Sequence, residues 1–203
     1  MKLYVTPTSP YARMAMIARL EKGLADKVKL VWTRTRNPLD PMLAVNPSGR
    51  IPFLLLEDGT GYEDTDVIIP FFDSLVFSRQ FDPPGDKAYW PFRRHQAMAR
   101  SLLDGISVWA REVIRPESEQ SLGIIEHERR RADRLANYFE SIIGEPPLTG
   151  KLNTVQIALF CALDAERRLP ELNWRAGRPG LVEWHARMLA VPSVKGSIPP
   201  SGV

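Results

Sequence analysis

Apolar residues change their spacing along this chain, and the changes outline its architecture. Residues 2–5 (KLYV) make a short apolar run that predicts a strand. A helix is expected from about Pro10 to Lys22, closed by Gly23, a residue suited to the left-handed turn after a helix. Residues 27–32 set Lys27 and Lys29 against Val28, Leu30 and Trp32, the period of two that marks a strand. The loop TRTRNPLDP follows, with at most a turn of helix near Met42–Val45. The stretch from Ile51 then reads as a strand, an Asp58-Gly59 turn and a short second strand, with a helix starting near Asp64. Pro70 sits early in that helix, where it is able to bend it. The order βαβ, then ββα, predicts a small α/β domain over residues 1–78.

After that the pattern becomes helical. Residues 79–88 (RQFDPPGDKA) carry Pro83-Pro84-Gly85, the composition of a linker. In residues 89–203, Met98, Leu102, Ile106, Trp109 and Val113 recur every three or four positions as one stripe. Ala132, Leu135, Phe139 and Ile142 make another, ended by Gly144 and Pro146-Pro147. In LNTVQIALFCALDAE, Asn153 and Gln156 stand at N-cap and N3 like a capping box, with Leu152 and Ile157 placed as a hydrophobic staple. That segment is apolar almost all round, so it is expected at the buried centre of its domain. Leu181, Trp184 and Met188 mark a last helix beginning near Pro179.

Composition narrows the function classes. The chain has 203 residues, 44% of them hydrophobic, enough for a packed core. Its +3 formal charge is mild, and its arginines are spread out, so nucleic-acid binding is not expected. Arg34, Arg36 and the run Arg129-Arg130-Arg131 read as solvated faces. A single cysteine, Cys161, excludes an intramolecular disulfide and a C-x-x-C pair, and it reads as a buried hydrophobe. His95, His127 and His185 lack the close spacing of a simple metal site. No apolar run approaches the roughly 18 residues of a membrane span. The polar N-terminus does not resemble a signal peptide, so a cytoplasmic location is expected.

Candidate chemistry lies where strands give way to helices. Ser9-Pro10 suits an N-cap followed by proline in the first turn. A hydroxyl there is also placed to serve an anion at the helix N-terminus. Thr6 and Thr8 are rivals for that role, and Tyr4 a weaker one within the strand. Arg13, one turn into the helix, is placed either to support such a site or to neutralise an acidic neighbour. In NPSGRIPFLLLEDG, a proline directly before an apolar strand leaves a position that cannot donate to a ladder. With Ile51–Pro52 cis, the backbone of Ile51 would face outward and pair an extended peptide, as in strand addition. Asp64 and Thr65, at a helix start, are placed to hold a peptide's carboxylate or amine.

These segments together resemble the cytosolic glutathione transferases, in particular a bacterial branch with an active-site serine. The resemblance rests on Ser9-Pro10-Tyr11-Ala12-Arg13, on Asn46-Pro47-Ser48-Gly49-Arg50-Ile51-Pro52, on Asp64-Thr65 and on the helical second half. The family's usual Glu-Ser pair is Asp64-Thr65 here, and its usual lysine before x-Pro is Arg50. The resemblance implies a thioredoxin-like N-terminal domain that binds glutathione, followed by an all-helical C-terminal domain. It implies a homodimer, with Arg93-Arg94 and Glu126–Arg131 as candidate contributors, and a role in detoxification. Ser9 would donate a hydrogen bond to the glutathione thiolate, which attacks a small hydrophobic electrophile. Arg50, Ile51, Pro52, Asp64 and Thr65 would bind glutathione, a co-substrate, with no further cofactor and no metal. Tyr11, Met98, Leu102 and Trp109, with the tail VKGSIPPSGV, are candidate walls for the electrophile, although ordinary helical spacing favours a core for the helical residues over a wall. Two other classes are considered. A non-catalytic binding protein of this fold would not need Ser9, Ile51-Pro52 and Asp64-Thr65 together, and a glutaredoxin-like reductase would need a cysteine at the helix start.

Overall fold

The computed structural model describes residues 1–78, 81 and 85–199. Of the expected linker, residues 79, 80 and 82–84 lie outside the described residues, as do residues 200–203 of the tail. Contacts divide the chain into two compact units, Met1–Asp82 with Val191–Val203, and Pro83–Ala190.

The first unit is built on β1 (Lys2–Val5), α1 (Pro10–Glu21), β2 (Lys29–Trp32), β3 (Phe53–Leu55), β4 (Gly61–Glu63) and α2 (Thr65–Ser74). The sheet order is β2-β1-β3-β4, with β1 and β2 parallel and the other pairs antiparallel. This is the thioredoxin-like arrangement, as expected. Helix α1 crosses between the parallel strands, which a tight turn cannot join. Its end is set by Lys22 as C-cap and by Gly23 at φ +63°, a conformation that glycine adopts without Cβ strain. Leu3, Val5, Ile17, Leu54, Ile68 and Phe72 are fully buried.

One feature of this unit departs from expectation. The tail was expected in a helical domain spanning 89–203. Instead α7 (Pro192–Gly196) packs on α1 within the first unit. A Cβ at Gly196 would stand 3.1 Å from Leu20 Cδ1, so the contact is close. Arg13 Nε donates to Ser197 Oγ at 3.2 Å, and that hydroxyl donates to the Val194 carbonyl at 2.6 Å. Extended Val191 followed by Pro192 ends the preceding helix (Pro179–Ala190) and turns the chain, and buried Val194 supplies the apolar anchor. Arg13 thus ties down the tail, a role its sequence neighbours do not reveal.

The second unit comprises α3 (Tyr89–Val113), α4 (Leu122–Ser141), α5 (Thr154–Leu163) and α6 (Pro179–Ala190). Every residue of α5 is buried, as its all-round apolar sequence predicts. Asn153 caps it by accepting from the N–H groups of Val155 and Gln156. Gln156 does not reach back to Asn153 as a capping box would. Its amide donates instead to the carbonyls of Pro147 (3.0 Å) and Thr149 (3.3 Å), satisfying a buried loop. Glu126 is paired with Arg129 and Arg130, whose hydrogen bonds hold its carboxyl down to about 2.

Candidate functional site

Strand register brings the expected site residues of the first unit to one end of the sheet. Tyr4, Phe53 and Glu63 lie on one line across β1, β3 and β4. Just beyond that line come Thr6–Ser9 after β1, Arg50–Pro52 before β3, and Asp64–Thr65 after β4. Helices α1 and α2 both start there, so two positive dipole ends lie at this edge.

Ser9 is the N-cap of α1, half-buried, with its Oγ accepting from Ala12 N at 3.1 Å. Accepting that bond uses a lone pair and leaves the hydroxyl hydrogen for another acceptor. Capping and anion binding are therefore compatible in one side chain. Thr6 sits in the turn, its carbonyl 3.4 Å from Ser9 N, and Thr8 is exposed. Tyr4 lies within β1 with its ring 5.9 Å from that of Phe53. Tyr11 is half-buried in the first turn of α1.

The Ile51–Pro52 peptide is cis, and Ile51 is half-buried ahead of β3. Its surroundings are braced by residues to which sequence reasoning assigned no role. Asn46, 1% exposed, donates from Nδ2 to the Arg50 carbonyl at 2.7 Å. The Ser48 hydroxyl accepts from Arg50 N at 3.1 Å and bonds the Glu63 carboxylate, tying this loop to β4. The NPSG turn was the available signal, but the partner in β4 was not. The Arg50 side chain is exposed.

Asp64 follows at φ +72° and ψ 141°, a rarely populated conformation for a residue with a Cβ. Its carboxylate accepts from Asp66 N at 3.0 Å and so caps α2, and Thr65 Oγ1 lies 3.4 Å from it. A strained aspartate at a helix mouth is the kind of outlier that accompanies a ligand site. On the neighbouring loop, the Thr33 hydroxyl and the Met42 and Arg34 N–H groups hold the Asp40 carboxyl below its usual range.

In the second unit, Leu102 and Trp109 are each 2% exposed. They belong to the core, where their apolar stripe is spent on packing; Met98 is half-buried. Among the described residues, no group of three or more His, Cys, Asp or Glu is arranged to hold a metal. None of their helices is long and apolar enough to cross a membrane.

Residues 8–75 match the glutathione S-transferase N-terminal domain. The matched segment contains Ser9, the Asn46–Pro52 turn and Asp64–Thr65. Over 98% of its length the chain is 27% identical to the uncharacterized GST-like protein YibF of Escherichia coli, covering 99% of that protein. It is 28% identical to glutathione S-transferase 2 of Saccharomyces cerevisiae, over 96% of this chain and 88% of the yeast protein. A glutathione S-transferase structure from Methylobacillus flagellatus, with glutathione bound, superposes with a TM-score of 0.86 at 28% identity, covering 98% of this chain and 99% of that one. These likenesses support the glutathione transferase family for this chain.

Proposed function

We propose that this protein is a glutathione transferase with a serine at its active site, conjugating the glutathione thiolate to a small hydrophobic electrophile. One observation carries the reading: Ser9, the Ile51 edge and Asp64–Thr65 converge at the sheet end where two helices begin. Glutathione bound in the Methylobacillus flagellatus structure supports the same ligand.

In this reading the main chain of Ile51 pairs with the cysteinyl part of glutathione. Asp64 and Thr65 hold the γ-glutamyl end, and Arg50 lies toward the glycyl carboxylate. A free thiol with a pKa near 8.5 is mostly protonated at pH 7. Lowering it by about two units takes roughly 2.7 kcal/mol, within the joint reach of a helix N-terminus and one charge-assisted hydrogen bond from Ser9. Ser9 acts as a donor to sulfur and forms no covalent intermediate. The protein works as a cytoplasmic homodimer in the detoxification of electrophiles.

Glutathione-affinity retention combined with a panel of electrophiles tests the proposal. Retention with thiol-dependent turnover of at least one electrophile is the expected result. Retention without any turnover would favour a non-catalytic binding protein, and failure to bind glutathione would overturn both.

A further inference from the structure

The brace around Arg50 has a directional consequence. Apart from Ile51–Pro52 and Pro146–Pro147, no cis peptide occurs among the described residues, so the Arg50–Ile51 peptide is trans. In a trans peptide the carbonyl and the following N–H point in opposite directions. Asn46 is buried to 1% exposure and pulls the Arg50 carbonyl inward through its Nδ2, at 2.7 Å. The Ile51 N–H must then point away from the loop interior. No acceptor for it is found among the described residues.

Asn46 is itself held through its backbone as well as through Nδ2. Its N–H donates to the Met42 carbonyl at 2.9 Å, and its carbonyl accepts from Gly49 N at 3.0 Å. The Arg50 carbonyl only accepts, which fixes the Nδ2 end of the amide toward it and leaves Oδ1 3.0 Å from the Ser48 hydroxyl. The turn depends on Gly49 at φ +64°, where a Cβ would also meet Leu43 Cδ2 at 3.1 Å. A side chain so fully engaged has little freedom to rotate, so the aim of the Ile51 N–H is built in before any ligand arrives.

We infer that Asn46 is a positioning residue that orients the Ile51 N–H toward a carbonyl of the bound peptide without touching that peptide itself. The inference rests on the glutathione reading and deepens it. It separates binding from thiol activation: Asn46 acts on the main-chain donor at Ile51, Ser9 on the sulfur.

Asn46→Asp is the informative variant, because it keeps the shape and replaces the Nδ2 donor with an acceptor facing a carbonyl. The KM for glutathione is expected to rise at least tenfold. At saturating glutathione, kcat should stay within about twofold and the bound thiol's pKa should be unchanged. A purely structural role would instead lower kcat along with the folded fraction, measured by circular dichroism, and leave KM alone. That outcome, or an unaltered KM, overturns the inference. Amide exchange in the wild-type protein tests it without a variant: glutathione should slow exchange of the Ile51 N–H at least tenfold. Calorimetric binding with an unprotected Ile51 N–H would sink the role of Asn46 while leaving the glutathione reading intact. Absence of binding would remove both.

Discussion

At Ser9 two explanations of one residue turn out to be compatible. The hydroxyl accepts from Ala12 N as an ordinary cap and still has a hydrogen to give. Replacing it with alanine therefore has two separable effects. Losing the cap should cost about 1 kcal/mol of stability. Losing a charge-assisted donor should raise the bound thiol's pKa by about one to two units, from a bond worth roughly 1.5–3 kcal/mol. Conjugation at pH 6.5 should fall by roughly ten- to a hundredfold in Ser9→Ala, and by less at pH 9, where the thiol ionises unaided. Ultraviolet titration of the thiolate measures the shift; an unchanged pKa would reduce Ser9 to its cap and turn attention to Thr6 or Thr8. Asp64 makes the complementary case. Its backbone at φ +72° costs of order 1–3 kcal/mol for a residue with a Cβ, whereas glycine removes that cost and loses only a few tenths as an N-cap. Asp64→Gly is thus expected to raise the unfolding free energy by about 1 kcal/mol while weakening glutathione binding. Thermal denaturation and calorimetry together check this, and a destabilised variant would show that the conformation is not strained here.

Between elements, the first unit holds a buried ion pair of Lys22 and Asp73, with side chains 3% and 0% exposed. It joins the end of α1 to α2. Lys22 also donates to the Ser78 carbonyl at 2.8 Å and sits 4.6 Å over the Phe81 ring, while Asp73 accepts from Phe81 N at 3.0 Å. The pair therefore fastens the chain leaving the unit as well as the two helices. Asp73→Asn would leave the lysine charge buried without its counterion, an error of roughly 3–5 kcal/mol. Urea denaturation should register that loss. The double replacement Lys22→Met with Asp73→Leu should recover much of it, because removing both charges removes the desolvation cost too. A small effect from Asp73→Asn alone would mean that water reaches the pair.

For the molecule as a whole, the proposed homodimer predicts a mass by light scattering of about twice 23.0 kDa at micromolar concentration. A clean monomer across that range would exclude it. The exposed face of the first unit includes Val67, Leu75 and Phe77, and that of the second includes Trp90, large apolar side chains that a monomer would leave in water. Arg129 and Arg130, by contrast, are occupied by Glu126 on their own helix. That pairing makes the arginine run a weaker contributor to an interface than its charge suggested.

The local grammar of this protein is written in contiguous residues. Strands, helices α1 to α6, the caps Ser9 and Asn153, the turn at Gly23 and the buried character of α5 follow from spacing and neighbours within about one helical turn, whereas α7 carried no such signal. The motif segments of the candidate site were legible for the same reason, since each is contiguous. Tertiary structure decided what depends on partners distant along the chain. Strand order set the three segments at one end of the sheet. The choice between core and pocket for Leu102 and Trp109 required knowing what packs on their stripe. Arg13 found Ser197, 184 positions away, and Lys22 found Asp73. A side chain's own neighbours carry no record of such pairings, because they are selected by the packing of whole elements and not by the local backbone.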